Sequence, residues 1–356
     1  MIKIWQRYFL KEIISTLFLF LAMFWGLYVV VDYTSRMSIF RAFEFTPWNV
    51  GQYYFYSFLK RLEILLPFAF LIAAIRTITK LNMNNELVAL MTSGIPLKTL
   101  MRPFLLFAIT LSLLSYVNYE WGYPQALLRL HLLEDSHTSN EYKRDKNHDV
   151  QSLSLDDGSV ILFNYLDSST ETIENAFWVQ SIDRFFHIKR LAPFAAMPNG
   201  EWVEIFQRDQ QGEIHLVAHH PKMEFPSLRL ADPEKALQLH RPQEQPLSVL
   251  YKLITEGKKI PGGKSNLILT SLISKLTLPW LPLLVFLAIA PSCLIFSRTP
   301  PAFFIYIAGM VGLVVFYLIF NAFATLSEHQ VISPWWSLAL PFATLFLFFS
   351  WRYYKT

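Results

Sequence analysis

Long stretches of this chain carry no charge, and that limits its possible folds more than any other feature. Ile13–Val31, Pro103–Tyr119, Leu276–Ser297, Thr299–Ser327 and Val331–Ser350 contain no Asp, Glu, Lys or Arg. A helix crossing a bilayer needs roughly 20 mostly apolar residues. A sixth block, Ile64–Ile75, is shorter and spans only if it extends back through Lys60, Arg61 and Glu63 towards Tyr53. The 356 residues are 53% hydrophobic and only 16% charged, against about a quarter charged in ordinary soluble domains. The sequence therefore predicts an integral membrane protein with six transmembrane helices.

The first apolar run follows Lys3, Arg7 and Lys11 and so imitates a signal peptide. It is longer than a typical signal core and no small-x-small site follows Val31, which predicts a retained first helix. One cysteine, Cys293, rules out an intramolecular disulfide framework and any multi-cysteine metal site. Gly257 to Ser265 resembles a phosphate-binding loop but is one residue too long, lacks a preceding strand, and carries no nucleotide site on this reading. His219 and His220 are adjacent and in a strand point to opposite faces, so they cannot share a metal. No nucleophile elbow or metal-ligand pair is present, and neither an enzyme activity nor a cofactor is expected.

The spans divide the chain into helices over 1–120, a polar stretch over 121–264, and helices over 265–356. With the N-terminus inside, the inner segments hold Lys3, Arg7, Lys11, Arg76, Lys80, Lys98, Arg102, Arg298, Arg352 and Lys355. The short outer loop after the first span holds Arg36 and Arg41, offset by Asp32 and Glu44. Excess Lys and Arg marks the cytoplasmic side, so both termini are expected there and the polar stretch outside. That stretch reads as β. Ser152–Tyr165 is a hairpin around Asp156-Asp157-Gly158, and Ala176–Ile188, Glu201–Gln207 and Gly212–Val217 are further strands. Asn199-Gly200 and Gln210-Gln211-Gly212 would be turns between them. The regular spacing suggests a sandwich or open barrel-like sheet, and Pro246–Glu256 looks helical.

Two places carry candidate sites. Lys60, Arg61 and Glu63 are ionisable groups in or near a span, where such groups are expensive and usually face a bundle interior or cavity. Either they snorkel to the outer interface, or Lys60 and Arg61 meet an anionic substrate, with Arg129 beyond the third span joining them. The second place is Asn82-Met-Asn-Asn-Glu-Leu-Val-Ala-Leu-Met-Thr-Ser-Gly-Ile-Pro96. Asn84 or Asn85 can cap a helix, Glu86 suits its first turn, and Gly94 can stop it. Leu87, Leu90 and Met91 fall on one apolar face. A helix lying on a membrane surface would be basic; this one carries only an acid, which favours docking into another protein.

Glu86-Leu-Val-Ala-Leu-Met-Thr-Ser-Gly94 resembles the coupling-helix motif of the LptF/LptG permeases of the lipopolysaccharide-exporting ABC transporter. Arg7-Tyr8, Lys60 through Pro67, Glu120-Trp121 with Pro124-Gln125, Ser274-Lys275 with Pro279, and Ile332-Ser-Pro334 agree with it. The Glu-Trp-x-x-Pro-Gln stretch and the chain's ending favour the LptG branch over LptF. The resemblance implies a periplasmic β-jellyroll and location in the inner membrane of a Gram-negative bacterium. It further implies an LptF-like second permease, an LptB-like cytoplasmic ATPase dimer, and LptC-like and LptA-like bridge proteins, with no nucleic acid. By it Glu86 contacts the ATPase, with Leu87, Leu90, Met91 and Gly94 in the same helix, and Lys60 meets phosphates of the lipid. LptG members often carry a further basic residue late in the first span, where this chain has Tyr28-Val-Val-Val31, and His131 stands where an arginine is common.

The sequence thus reads as a permease subunit that extracts lipopolysaccharide. Two rivals are an ATPase-independent secondary transporter of an amphipathic substrate and a membrane-anchored assembly scaffold. The first would need ionisable residues deep in the spans, and none falls between Lys275 and Arg298. The second would need an activity in the outer domain, for which no residue pairing speaks.

Overall fold

The computed structural model describes residues 3–42, 45–137, 151–155, 159–163, 165–167, 172–181, 183–193, 197–209, 213–226, 228, 242–256, 264–294 and 302–355. The turns expected at 156–158 and 210–212, the glycine–lysine segment 257–263 and Arg298 lie outside these. Two compact units emerge: residues 1–137, 246–251 and 269–356 form one, and residues 138–245 and 252–268 the other.

The first unit is helical. Helix α1 (Ile4–Ala42) is followed by α2 (Pro47–Met83), the short α3 (Glu86–Thr92) and α4 (Leu97–Val117). A π-helical turn at Asn118–Gly122 then leads into α5 (Tyr123–His137). Five described helices are long and apolar enough to cross a membrane: Ile4–Ser38, Pro47–Met83, Leu97–Leu130, Ser265–Cys293 and Ala302–Glu328. The shortest apolar block therefore does extend back through Lys60, Arg61 and Glu63, as one helix. Its start is set by Thr46, whose hydroxyl accepts the backbone N–H of Asn49 at the N-cap, and by Pro47 at the first helical position. The segment expected as a sixth span forms a π-helical turn, Trp335–Ala339, and a 16-residue α-helix, Leu340–Lys355.

The outer loop expected after the first span is helix instead, because α1 runs on to Ala42. Asp32 and Arg36 lie one turn apart on it and pair at 3.3 Å, a spacing that supports a helix continuing past the apolar run. Helix likewise continues beyond the third apolar run, as α5, to His137, so residues 121–137 do not open the β region. The core of the helical unit gathers Phe9 and Ile13 of α1, Phe70, Ile75 and Ile78 of α2, and Phe104 of α4. Phe286 joins them from Leu281–Cys293. The windows of the second and fourth candidate spans are 61% and 67% buried, those of the first and fifth only 22% and 11%. The second and fourth form the trunk, and the first and fifth keep exposed apolar faces.

The second unit is an antiparallel sheet. Its strands are β1 (Gln151–Ser154), β2 (Val160–Phe163), β3 (Tyr165–Asp167), β4 (Thr172–Ser181), β5 (Arg184–Ala192), β6 (Asn199–Arg208) and β7 (Ile214–Glu224). The spatial order is β1-β2-β4-β5-β6-β7, with β3 paired to β4. Two expectations need correction. Ala176–Ile188 is not one strand but two, which turn back at Asp183. Asn199-Gly200 is not a turn; both residues sit in β6, where they pair with β5 and β7. Gly200 is there because a side chain would strike Ile188 and Phe225, at 2.8 and 2.9 Å from its Cβ.

One face of the sheet buries Trp178, Phe186, Ile188, Val203 and Phe225, and the indole N–H of Trp178 donates to Ser159 Oγ at 2.9 Å. Simple alternation would repeat buried residues every second position. In β4 they fall at 173, 176 and 178, in β5 at 186, 188 and 191, and in β6 at 200, 203 and 205. Each strand gains one residue at the same row, where the registers on either side set Asn175, Lys189 and Trp202 opposite one another. Asn175 and Trp202 adopt left-handed backbone there, at φ 52° and 56°. The extra residues stay in register with one another, so the strands reset together which face points inward.

Candidate functional site

Both candidate places lie on or next to α2. Near its start, Lys60 and Arg61 are exposed and Glu63 is partly buried. The two cations are successive residues on a helix and so point about 100° apart. Arg61 turns to α1, its guanidinium 4.1 Å from the centre of the Tyr28 ring. The first span has no cation of its own at Tyr28–Val31, and the second span supplies one there. Nearby, the hydroxyl of Tyr54 donates to Asp32 Oδ2 at 3.3 Å. Arg129 is exposed on α5; among the described residues no ion pair or ring contact joins it to Lys60 or Arg61. The side chain of His131 lies outside the described residues.

Pro67 lies within α2, and its missing N–H leaves the carbonyl four residues earlier, that of Glu63, without its helical partner. The hydroxyl of Tyr317, from Ala302–Glu328, donates to that carbonyl at 3.1 Å. The π-helical turn after α4 places Asn118 so that its side-chain amide donates to the Leu59 carbonyl at 3.1 Å.

At its other end α2 passes through Asn84 and Asn85 into α3. Asn85 holds the cap position in left-handed backbone, φ 58°, and makes no side-chain cap. Asn84 instead donates its amide to Glu86 Oε1 at 3.2 Å, and the hydroxyl of Tyr8, on α1, donates to the same oxygen at 3.3 Å. One turn further along α1, Glu12 pairs with Lys80 at 2.6 Å. The first three helices are therefore knitted together around Glu86.

The far end of α3 closes on Gly94, at φ 88°. The Gly94 N–H bonds to the Met91 carbonyl at 3.0 Å and the Ile95 N–H to the Leu90 carbonyl at 3.2 Å. These are the two bonds of a Schellman motif, and Leu90 and Ile95 pack against the same core. Pro96 follows and prevents continuation.

The apolar stripe of α3 needs correction. Leu87 is fully buried in the chain's own core and Leu90 packs against it, so this face seats α3 on the bundle. Burying a leucine stabilises by about 1.5–3 kcal/mol, and α3 is too short to hold its place without it. The exposed large apolar side chains are Val88 and Met91, 38% and 36% exposed. With Glu86 and Gly94 they form the accessible rim. Sequence spacing located the helix but missed Tyr8, 78 positions away, as the partner of Glu86.

Residues 7–355 match the family model described as lipopolysaccharide export system permease LptF/LptG. No curated protein matches the chain.

Proposed function

This chain belongs to the LptF/LptG family of lipopolysaccharide export permeases, and from that premise we propose that it draws lipopolysaccharide out of the inner membrane under power from a separate ATPase. Members of the family are permease components and not enzymes. The chain is a multi-pass inner-membrane protein, and the family works with other components of the export system.

In the proposed mechanism, Lys60 and Arg61 capture phosphate groups of the lipid by charge, with Arg129 assisting as the headgroup moves outward. Acyl chains are held against apolar helix faces. On the cytoplasmic side, an LptB-like ATPase dimer grips Glu86, Val88 and Met91. Its closure on ATP pushes α3 and changes the cavity formed with an LptF-like second permease. Lipid leaves towards the β unit, periplasmic and jellyroll-like, and then to LptC-like and LptA-like bridge proteins. Trp335–Lys355 completes a sixth span, both termini are cytoplasmic, and the chain is of the LptG branch.

The observation that supports this best is the continuity of α2. It carries Lys60 and Arg61 towards its start and passes directly into the helix that bears Glu86. From Lys60 to Met83 a helix rises about 35 Å, enough to cross a hydrocarbon core of roughly 30 Å. One continuous stretch of helix, with Pro67 within it, would thus lead from the lipid end to the ATPase end.

The test is affinity purification of the full-length protein in mild detergent, with identification of what accompanies it. A soluble ATPase and a second six-span protein should co-purify, and Glu86→Lys should remove the ATPase alone. A protein that emerges alone and exports lipid without any ATPase would overturn the reading.

A further inference from the structure

A proline inside a transmembrane helix frees one carbonyl, and a neighbouring helix can supply the missing bond. In α2 the freed carbonyl is that of Glu63, and the donor is the Tyr317 hydroxyl at 3.1 Å. The same side chain also reaches past the proline. Its ring stacks on that of Phe68, with centroids 5.9 Å apart and planes 11° from parallel. Glu63 precedes Pro67 and Phe68 follows it, so one tyrosine holds both sides of the break.

Two contacts astride a break fix an angle. A proline lets a helix bend; the bond to the carbonyl sets where the segment before it points, and the stacked ring holds the segment after it. One turn earlier, the Asn118 amide donates to the Leu59 carbonyl at 3.1 Å, a second strap on the same segment from another element. Lys60 and Arg61 lie between the two held carbonyls, so the bend decides their direction. A phenylalanine would fill the same space against Phe68. Only the carbonyl calls for a hydroxyl.

We propose that Tyr317 is a splint across the Pro67 break, and that by setting the bend of α2 it positions Lys60 and Arg61 for anionic lipid. Tyr317 is a positioning residue and does not itself hold the phosphate. The proposal rests on the lipid-capture reading given above for Lys60 and Arg61.

The experiment reads the bend and the lipid separately, both in the full-length protein. Spin labels at Phe55→Cys and Met83→Cys, with Cys293→Ser, occupy exposed positions in the two halves of α2. A straight helix would set them about 42 Å apart along its axis, and a bend shortens that distance. Lipopolysaccharide retained per molecule after purification from lipopolysaccharide-containing membranes is the second readout. Tyr317→Phe keeps the ring and removes the donor; it should broaden the distance distribution and lower retention about threefold or more. Pro67→Ala restores the N–H, so the Glu63 carbonyl bonds within its own helix, and the distance should lengthen and narrow. Adding Tyr317→Phe to Pro67→Ala should change neither readout further, because the two residues act through one bond. Pro67→Ser supplies the same N–H should the alanine variant fold poorly. An unchanged distribution in Tyr317→Phe would overturn the proposal, as would a further loss of lipid when it is added to Pro67→Ala. A broadened distribution with full retention is resolved by the variant with Lys60→Ala and Arg61→Ala. If that variant loses its lipid, the bend does not position the cations and the proposal fails; if it keeps its lipid, the capture reading itself fails and the splint stands on the distances alone.

Discussion

Tyr8 on the first helix donates its hydroxyl hydrogen to Glu86 Oε1, 3.3 Å away on the third. The carboxylate proposed to meet the ATPase is thus steadied from within the chain, with Asn84 donating to the same oxygen at 3.2 Å. Tyr8→Phe keeps the ring and removes the donor. A hydrogen bond to a charged group is worth roughly 1.5–3 kcal/mol when sheltered, and less at this exposed position. The expected outcome is an ATPase that still co-purifies, with export per ATP hydrolysed reduced about two- to fivefold. Coupled hydrolysis and lipid release in proteoliposomes would measure it.

Glu86→Ala removes more. It deletes the proposed contact and the only acid in the first turn of α3, where an acid contributes about 0.3–1 kcal/mol. ATP hydrolysis should continue while export falls to near background. Full export by this variant would sink the coupling role.

Gly94→Ala tests the stop of α3. Nothing lies within 4 Å of the place a Cβ would take, but φ is +88°. The cost is therefore backbone strain of about 1–2 kcal/mol, not crowding. Gly51→Ala, inside α2 and equally uncrowded, should be neutral or stabilising by up to about 1 kcal/mol. Thermal unfolding of the two side by side would distinguish strain from space.

Tyr28 offers a comparison of ring against hydroxyl. Tyr28→Phe preserves the face that Arg61 covers at 4.1 Å, and lipid retention should stay within about twofold. Tyr28→Leu removes the face and should cost about 0.5–2 kcal/mol of that orientation. Equal retention in both variants would show that the stacking contributes nothing.

In the sheet, Gly200→Ala should destabilise by about 1–3 kcal/mol through overpacking, since its Cβ would lie 2.8 Å from Ile188. Limited proteolysis of the full chain should show faster cleavage in the β strands while the helices persist.

The sequence made the membrane helices legible because uncharged runs of spanning length have few other uses. It also gave the position of α3, since Asn85, Glu86 and Gly94 are local signals. It could not give the direction of Leu87. An apolar stripe looks the same whether it seats a helix on its own bundle or on a partner, and only packing decides. The extension of α1 to Ala42 was hidden because Asp32, Arg36 and Arg41 resemble a loop once charges appear. Lys275 was visible as a residue but its aromatic neighbours were not, because Tyr119 and Tyr123 lie about 150 positions earlier and on other helical segments. The split of Ala176–Ile188 was obscured by continuous strand-forming residues on both sides of a tight turn at Asp183. Asn199-Gly200 misled for the opposite reason, since a glycine demanded by close packing looks like one demanded by a turn.

The row of Asn175, Lys189 and Trp202 has a consequence for inheritance. Removing any one of the three from its strand alone would turn the rest of that strand inside out, placing polar side chains in the core while its neighbours stayed in phase. The row continues into β7, where Pro221 stands opposite Trp202 while Ala218 and Met223 pack on the same core, so only the loss of the whole row together would leave a consistent sheet. The extra residues in β4, β5 and β6 therefore behave as one heritable character. Descendants of this domain are expected to keep the whole row or none of it, whatever happens to the side chains it carries.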